Sequence, residues 1–551
     1  MRKPLLIALM VALALLFPGQ GFLSAQEGAV ALKDIQGHWA QSYIVTLVER
    51  GVIRGYEDGT FRPDRAITRA EFVTLLVREL EPQAESSSAP AFEDVASGHW
   101  AYESIQKAAA AGWLKPAEYG RMFKADQPMG RGEAARLIVR AAGFAPEAAA
   151  LTGSSSTFSD VQGEIKPYVD VAVAHGLLTG FPGGVFKPQG TLTRAEAGAI
   201  ILRLTDPALR PATWTENYTF KITGRTNKVQ VVRINLNRPD IEVKPVIAKG
   251  QIGQTESLMD MANRAGAIAA INGTYFAAYK DRYGDRFGEP FGTLVIDGRW
   301  LHLIYGGTTM AITPDKKVLM APIEMEIEGS VDGHEGFWGA FHINATIDDL
   351  MVIYTKEWGP TTRRDRGATV TVENGRVTSV GGPDVPIPQN GYVVWFPEQY
   401  AKPDAWSWKN LAKVGVQADW KVKLKTHDLT PFEDPAWRNV EQAIGVGPQL
   451  VAGGKVVASP ESMAKEKFTE GKIVSDPYNR SGVGVTRDGI LIFAVTNYAT
   501  MAEWAEIMRQ LGAVEAMAMD SGASSGLIYQ GKYLWQPGRE LSNGLVVLQK
   551  K

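Results

Sequence analysis

Two textures of hydrophobic and polar positions succeed one another along the chain. In the first two hundred residues apolar side chains recur at helical spacing: Ile44, Leu47 and Val48, then Phe72, Leu75 and Leu76, form stripes of period 3.6. Beyond about residue 213 the period drops to two, and residues 218–222, 229–235 and 241–247 read as strands. Helical spacing returns at 257–265 and at 501–511, where Trp504, Ile507, Met508 and Leu511 share one face. Residues 267–271 and 514–519 are short apolar runs that read as buried strands, and 482–496 reads as a hairpin turning at Asp488-Gly489. Strands interleaved with helices predict an α+β domain with a mixed sheet over 214–551, with an inserted lobe. At the other end, Met1-Arg2-Lys3-Pro4 sets positive charge before the apolar run 5–17, and Ser24-Ala25 is a small-residue exit. Residues 1–25 therefore read as a secretory signal peptide, because that run is shorter than the roughly 20 residues a spanning helix needs. No later stretch is long and apolar enough to span, so no transmembrane anchor is expected after cleavage.

The helical part repeats itself. One copy opens at Asp34-Ile35 with His38-Trp39-Ala40 and runs through Gly55-Tyr56-Glu57-Asp58-Gly59-Thr60-Phe61-Arg62-Pro63 to Thr68-Arg69-Ala70-Glu71. The next opens at Phe92-Glu93-Asp94-Val95 with His99-Trp100-Ala101 and closes at Gly130-Arg131-Gly132-Glu133. The last opens at Phe158-Ser159-Asp160-Val161 and closes at Thr193-Arg194-Ala195-Glu196. Each is an Asp and an aromatic before one amphipathic helix, a Gly-rich turn, then a Thr or Gly cap opening a second helix with Glu in its first turn. Two helices bury too little surface alone, so copies at 32–80, 92–143 and 158–204 are expected to pack as one all-α, pseudo-threefold bundle. Residues 81–91 and 144–157, rich in Ala, Ser and Pro, read as connectors, and 205–213 as a linker with few contacts. Copy two replaces Thr-Arg-Ala-Glu by Gly-Arg-Gly-Glu, and copy three has Pro167-Tyr168 where the others have His-Trp.

Composition narrows the chemistry. A chain of 551 residues exceeds one compact core, so several domains are expected. With 58 basic against 60 acidic residues the net charge is −2, which argues against a mainly electrostatic nucleic-acid binder. Absence of cysteine rules out disulfides, cysteine nucleophiles, thiolate zinc sites and iron–sulfur clusters together. Export without cysteine points to the surface of a Gram-positive-type bacterium.

Four strand ends run into polar, glycine-rich turns: Ile271-Asn272-Gly273-Thr274-Tyr275, Ile444-Gly445-Val446-Gly447-Pro448, Asn479-Arg480-Ser481-Gly482 and Met519-Asp520-Ser521-Gly522-Ala523-Ser524-Ser525. Asp520 sits at the mouth of a strand, and the small residues after it let backbone N–H groups approach an oxyanion or phosphate. Arg480 is suited to neutralise that anion and Asn272 to orient a hydroxyl. The histidines show no metal-ligand spacing, and His302 and His342 read as structural or surface groups. No cofactor and no metal ligands are assigned.

The tandem copies resemble the S-layer homology domain over roughly 32–204. That resemblance implies anchoring to an acidic secondary cell-wall polysaccharide, with Arg69, Arg131 and Arg194 facing the ligand and Trp39 and Trp100 nearby. A guanidinium grips a carboxylate bidentately and an aromatic face stacks on a sugar; the alternative is that the arginines pair with neighbouring carboxylates and the indoles fill the core. The turns of the second half, from about 221 to 548, resemble the phosphodiester glycosidase family, with the Ile-Asn-Gly-x-Tyr-Phe strand end, the hairpin from Arg480 to Asp488-Gly489, the Asp520 loop, Arg539 and Asn543. Ser521 and Ala523 stand where that family usually carries glycine, and their Cβ atoms narrow the nest. The resemblance implies hydrolysis of a sugar 1-phosphodiester in phosphate-linked surface glycans or exopolysaccharide. Asp520 would be base or nucleophile and Arg480 and Arg539 the phosphate clamps. Asn272, Ser524 and Ser525 would position the substrate, together with Gly522, Tyr275 and Asn543. A phosphate ester leaves without the general acid an alkoxide needs, so one carboxylate can suffice; Glu289 and Asp365 are candidates for a second. The rival reading is a catalytically silent surface protein that binds phosphoglycans.

Overall fold

The computed structural model describes residues 32–550 except 86–88, 152–153, 305–306, 427–428 and 446. The expected signal peptide lies outside the described residues. Each copy contributes two helices: Gln41–Glu49 and Arg69–Leu80, Tyr102–Ala110 and Arg131–Ala141, Lys166–Ala174 and Arg194–Thr205. Thr68 and Thr193 start their helices through capping boxes closed by Glu71 and Glu196, whereas Gly130 supplies no side-chain cap. Ile44, Leu47, Phe72, Leu76, Leu137, Ile138, Ile200 and Ile201 fall in one shared core, so the copies are one body.

The three copies interlock cyclically. Ile67 N–H donates to Leu192 O, Leu192 N–H to Met129 O and Met129 N–H to Ile67 O, at 3.0, 2.9 and 2.8 Å. In every copy the opening Asp takes two backbone N–H groups of the turn that precedes its second helix: Asp34 from Phe61 and Arg62, Asp94 from Phe123 and Lys124, Asp160 from Phe186 and Lys187, all at 2.7–2.8 Å. These bonds explain why an Asp opens each repeat. The stretch 144–157 is more than a connector, since it holds the helix Ala145–Ala150 and the buried Phe144.

The expected fold class needs correction in the second half. From Thr213 onward the chain is mostly β, in four sheets, with few helices longer than two turns, so it is not an α+β domain. Helical spacing at 258–265 and 501–510 is real, but strands set the architecture. One seven-stranded sheet has the order Thr213–Ile222, Arg225–Asn235, Ile490–Ala499, Tyr478–Val485, Glu515–Ala518, Gln449–Ala452, Lys455–Val456. A five-stranded sheet runs Lys532–Trp535, Leu527–Tyr529, Ala269–Asn272, Asn543–Gln549, Ile241–Ile247. Residues 294–445 supply most of two further sheets. Val232, Ile271, Ile444, Phe493 and Met519 share the core between them. Among the described residues, strand pairs are antiparallel apart from His342–Ile343 against Val352–Tyr354.

The 205–213 stretch is also not the sparsely contacted linker expected. Arg210 is buried, donates to Arg203 O at 2.8 Å and pairs with Asp488 of the second half. His175 of copy three lies between Asp488 (2.9 Å) and Glu147 (2.7 Å) and stacks on Phe144, with ring centres 3.7 Å apart. The seam is continued by Ser155 N–H, which donates to Thr219 O at 2.8 Å.

Candidate functional site

Asp520 follows the strand Glu515–Ala518, where the chain crosses from one sheet to the next. Met519 N–H donates to Ser481 O at 2.8 Å on one side, and Asp520 N–H to Gly273 O at 3.1 Å on the other. Asn272 fixes this crossing: its Nδ2 donates to Asp520 O at 2.7 Å and its Oδ1 accepts from Gly526 N–H at 3.0 Å. Asn543 does the same for the neighbouring turn, accepting from Thr274 N–H at 2.9 Å. Gly273 is required there, because a Cβ would come within 1.8 Å of Asn543 Oδ1. Asn272 and Asn543 are thus buried supports of the loops, with both amide groups spent, and do not line the cleft.

The cleft itself encloses about 790 Å³, a size suited to a small ligand or a stretch of glycan. It brings together Asp520, Gly522, Ser524, Tyr275, Arg480 and Arg539 from the expected set. Burial pushes the Asp520 carboxyl up to about 6, against the Ser524 hydroxyl, the Ser521 N–H and the charges of Arg539 and Lys472. Arg480 is almost wholly buried, and its Nε and Nη2 are held by the carbonyls of Ala499 (2.9 Å), Lys472 (3.2 Å) and Asp476 (2.6 Å). No carboxylate among the described residues lies within 4 Å of its guanidinium, and that of Asp476 acts on it only from farther away. Arg539 donates to the Tyr279 hydroxyl at 2.8 Å and lies over that ring. The Tyr275 hydroxyl is buried without a partner, and burial and Asp520 raise it well above the ordinary phenol range. Ser525 Oγ is buried and unpartnered too, but its residue is not on the cleft wall.

The narrowed nest is accommodated. Ser521 is extended (φ −117°, ψ −176°), and its hydroxyl turns back to Met519 O at 3.0 Å. Gly522 carries the left-handed φ of +68° that the turn requires. Ala523 lies in the single helical turn Gly522–Ser524.

Neither proposed second carboxylate is here. Glu289 is buried away from the cleft wall, accepting from Thr346 N–H at 3.1 Å, and Asp365 is exposed elsewhere. The wall instead presents Glu466, which accepts from Thr308 and Gln449 N–H groups, and Glu470, paired with Lys472 at 2.8 Å. Sequence reasoning missed these, and missed Arg282, Arg286, Lys467 and Lys472, which line the same cleft. They lie in two segments that carry no motif and meet only through folding: the short helical turns Lys280–Tyr283 and Gly284–Arg286, and the stretch 466–472 that leads into the helical turn Gly471–Val474. Among the described residues no group of three or more His, Asp and Glu is arranged to hold a metal ion. His302 is buried between the Asn344 and Pro290 carbonyls, and His342 is also buried, so both are internal.

In the helical half the three arginines span from one copy to the next. Arg69 donates to Phe123 O and Glu133, Arg131 to Phe186 O and Glu196, and Arg194 to Phe61 O and Glu71, at 3.0–3.5 Å. Their guanidinium groups therefore take neighbouring carboxylates, closing the ring of copies. Trp39 and Trp100 are 58 % and 61 % exposed, so they do not fill the core; each packs on the histidine before it.

Comparison with known families fits this division. The S-layer homology domain matches residues 31–73, 91–135 and 157–197, and the phosphodiester glycosidase family matches residues 366–548. The chain therefore carries three S-layer homology repeats followed by a phosphodiester glycosidase domain. Asp520, Arg480, Ser524, Arg539 and Asn543 fall inside the second match, and Asn272 and Tyr275 precede it. The chain is 32 % identical over 186 residues to an amylopullulanase of Thermoanaerobacterium thermosulfurigenes, covering 33 % of this chain and 10 % of that protein. It is 53 % identical over 74 residues to a cellulosome-anchoring protein of Acetivibrio thermocellus, covering 13 % and 17 %. It thus spans under a fifth of the length of either relative. A crystal structure of a hypothetical protein from Synechocystis shares the fold with a TM-score of 0.51 at 22 % identity, covering 61 % of this chain and 62 % of that one.

Proposed function

We propose that the protein is a wall-anchored, exported glycosidase that hydrolyses the bond between a sugar's anomeric carbon and a phosphodiester oxygen in surface glycans. The observation that carries this reading is the cleft that sets one raised carboxyl, Asp520, among unpaired cations: Arg282, Arg480 and Arg539 have no carboxylate partner within 4 Å among the described residues. Asp520 acts in its ionised form, as nucleophile at the anomeric carbon or as base toward water. The carbon–oxygen bond breaks with its electron pair going to the phosphate ester oxygen, and water supplies the new hydroxyl. Arg480, already locked by three backbone carbonyls, and Arg539 stabilise the charge that collects on the departing phosphate without reorganising. The unpartnered Tyr275 hydroxyl and Ser524 orient the substrate; Asn272 acts through the Asp520 backbone. Because a phosphate leaves readily, the reading does not need the spent Glu466 as a general acid.

The helical half is proposed to bind an acidic cell-wall polysaccharide in the grooves between copies, with the exposed Trp39 and Trp100 as sugar platforms. Arg69, Arg131 and Arg194 serve it chiefly by holding the copies together. The direct test is sugar release by the full chain from a synthetic N-acetylglucosamine 1-phosphodiester, with Asp520→Asn alongside. Release that vanishes in the variant supports a hydrolase centred on Asp520. Phosphoglycan binding without release by the wild type would establish the silent binding module instead.

A further inference from the structure

A second groove of about 610 Å³ opens in the part of the second half that precedes and flanks residue 366, and it shares no wall residue with the Asp520 cleft. Two strands at the edges of one sheet, Arg299–His302 and Ala418–Lys425, face each other across it, and Tyr392 from the neighbouring sheet forms part of its wall. Its aromatic groups are Trp300, Tyr392 and Trp420. Both indoles are half-buried, packed on the same core on one side and open to the groove on the other. Trp420 meets Tyr392 edge-on at 6.3 Å and 87°, so the two rings form a corner rather than a flat patch. The Tyr392 hydroxyl is buried without a hydrogen-bond partner. Beside it stand Gln389, whose amide makes no hydrogen bond among the described residues, and the exposed Asp419.

The charge pattern selects among ligands. Arg299 is paired with Glu357 at 2.6 Å and Lys421 with Glu335 at 2.5 Å, and the third cation of the wall, the exposed Lys356, is matched in number by Asp419, so the rim carries no net positive charge. A polyanion gains little there, in contrast to the cleft around Arg480. A neutral pyranose fits better. Its C–H face suits the electron-rich face of an indole, and its rim of hydroxyls suits an amide, a carboxylate and an unsatisfied phenol. We infer that this groove is a second, non-catalytic glycan-binding site, which holds a short run of uncharged sugar residues of a polymer through Trp300 and Trp420. It goes beyond the proposed hydrolysis and does not depend on it.

The test uses the full chain with chitotriose, cellotriose and maltotriose as probes, read by saturation-transfer NMR and calorimetric titration. At least one trisaccharide is expected to bind saturably. Trp420→Ala is expected to weaken it about tenfold, one buried aromatic contact's worth, and Gln389→Ala several-fold, while Asp520→Asn binds as the wild type does. Gln389 is exposed and carries no internal bond, so its variant reports on the site even if Trp420→Ala fails to fold. Absence of saturable binding by all three sugars overturns the inference. So does binding that Gln389→Ala and Trp420→Ala leave unchanged, or that Asp520→Asn weakens as strongly as they do.

Discussion

Asp520→Asn is expected to abolish hydrolysis and at the same time to stabilise the protein. Burial holds the Asp520 carboxyl at about 6 in the fold, against 3.8 as its ordinary value. Between those two values the unfolded chain has released the proton and the native one has kept it. Native stability therefore falls as pH rises through that window, and above about pH 6 the full cost of a buried carboxylate is present. Ionising a carboxyl held that far above its ordinary value costs about 3 kcal/mol, and partial access to the cleft lowers the figure to about 1–3 kcal/mol. Asparagine has nearly the same shape, still accepts from the Ser521 N–H and carries no charge. The difference between the two proteins cancels every other titrating group, so it isolates this one. Differential scanning calorimetry of both chains from about pH 3.5 to 8 should show coincident unfolding at the acid end. The variant should unfold a few degrees higher above pH 6.5. An asparagine variant that is equal or less stable at pH 8, or a difference that does not change with pH, would refute the claim that Asp520 is a strained, buried acid. The same ionisation predicts that hydrolysis rises with pH through about 6.

Asn272→Ala leaves Asp520 O and Gly526 N–H buried without partners, so a loss of about 2–4 kcal/mol in thermal unfolding is expected, together with a fall in kcat larger than any rise in KM. Normal stability with a pure KM effect would instead put Asn272 on the substrate. Arg194→Ala removes the guanidinium that joins copy three to Phe61 O and Glu71; a loss of about 2–4 kcal/mol and weaker sedimentation with cell-wall sacculi are expected, and unchanged melting would sink the ring-closure role. For His175, burial opposes charge but Asp488 and Glu147 on either side keep it protonated, above its ordinary value. Its stabilisation is full below about pH 6.5 and is lost as pH rises through the raised value. His175→Gln should therefore cost about 3 kcal/mol at pH 6 and less at pH 9 in denaturant unfolding; a cost that does not shrink would show that the ring acts by packing on Phe144 alone.

What could be seen in the sequence was whatever repeats or alternates locally. The cyclic helical body was legible because Asp34, Asp94 and Asp160 and Arg69, Arg131 and Arg194 recur at the same place in each copy, and the structure spends them on the same bonds each time. The strand at 515–518 and the Asp520 turn were legible for the same reason. Sheet order was not, since Arg225–Asn235 pairs with Ile490–Ala499 across more than 250 residues and no local pattern records that register. The β character of 294–445 was hidden by strands of very uneven length, from His342–Ile343 to the 14 residues of Val318–Val331, in which apolar and polar positions do not alternate cleanly, and this left the two clear helical stripes to dominate the reading. Arg480 shows the limit most sharply. Its type, and a glycine-rich stretch that read as a strand end, marked it as an anion clamp; it lies inside the strand Tyr478–Val485 rather than at a turn, and it does reach the cleft. Yet the three carbonyls that aim it come from residues 472, 476 and 499, and the cations beside it from segments without any motif. The residue types that perform chemistry are written locally, whereas the geometry that makes them an active pair is a property of the long-range pairing. The same holds at the seam between the halves. Asp488 reads as a hairpin turn residue and does turn the hairpin, but its carboxylate is taken by His175 and Arg210 from the other half. Cutting the chain at residue 213 would leave that carboxylate facing water without either partner, so a stable second half calls for a boundary that keeps Arg210 or replaces Asp488.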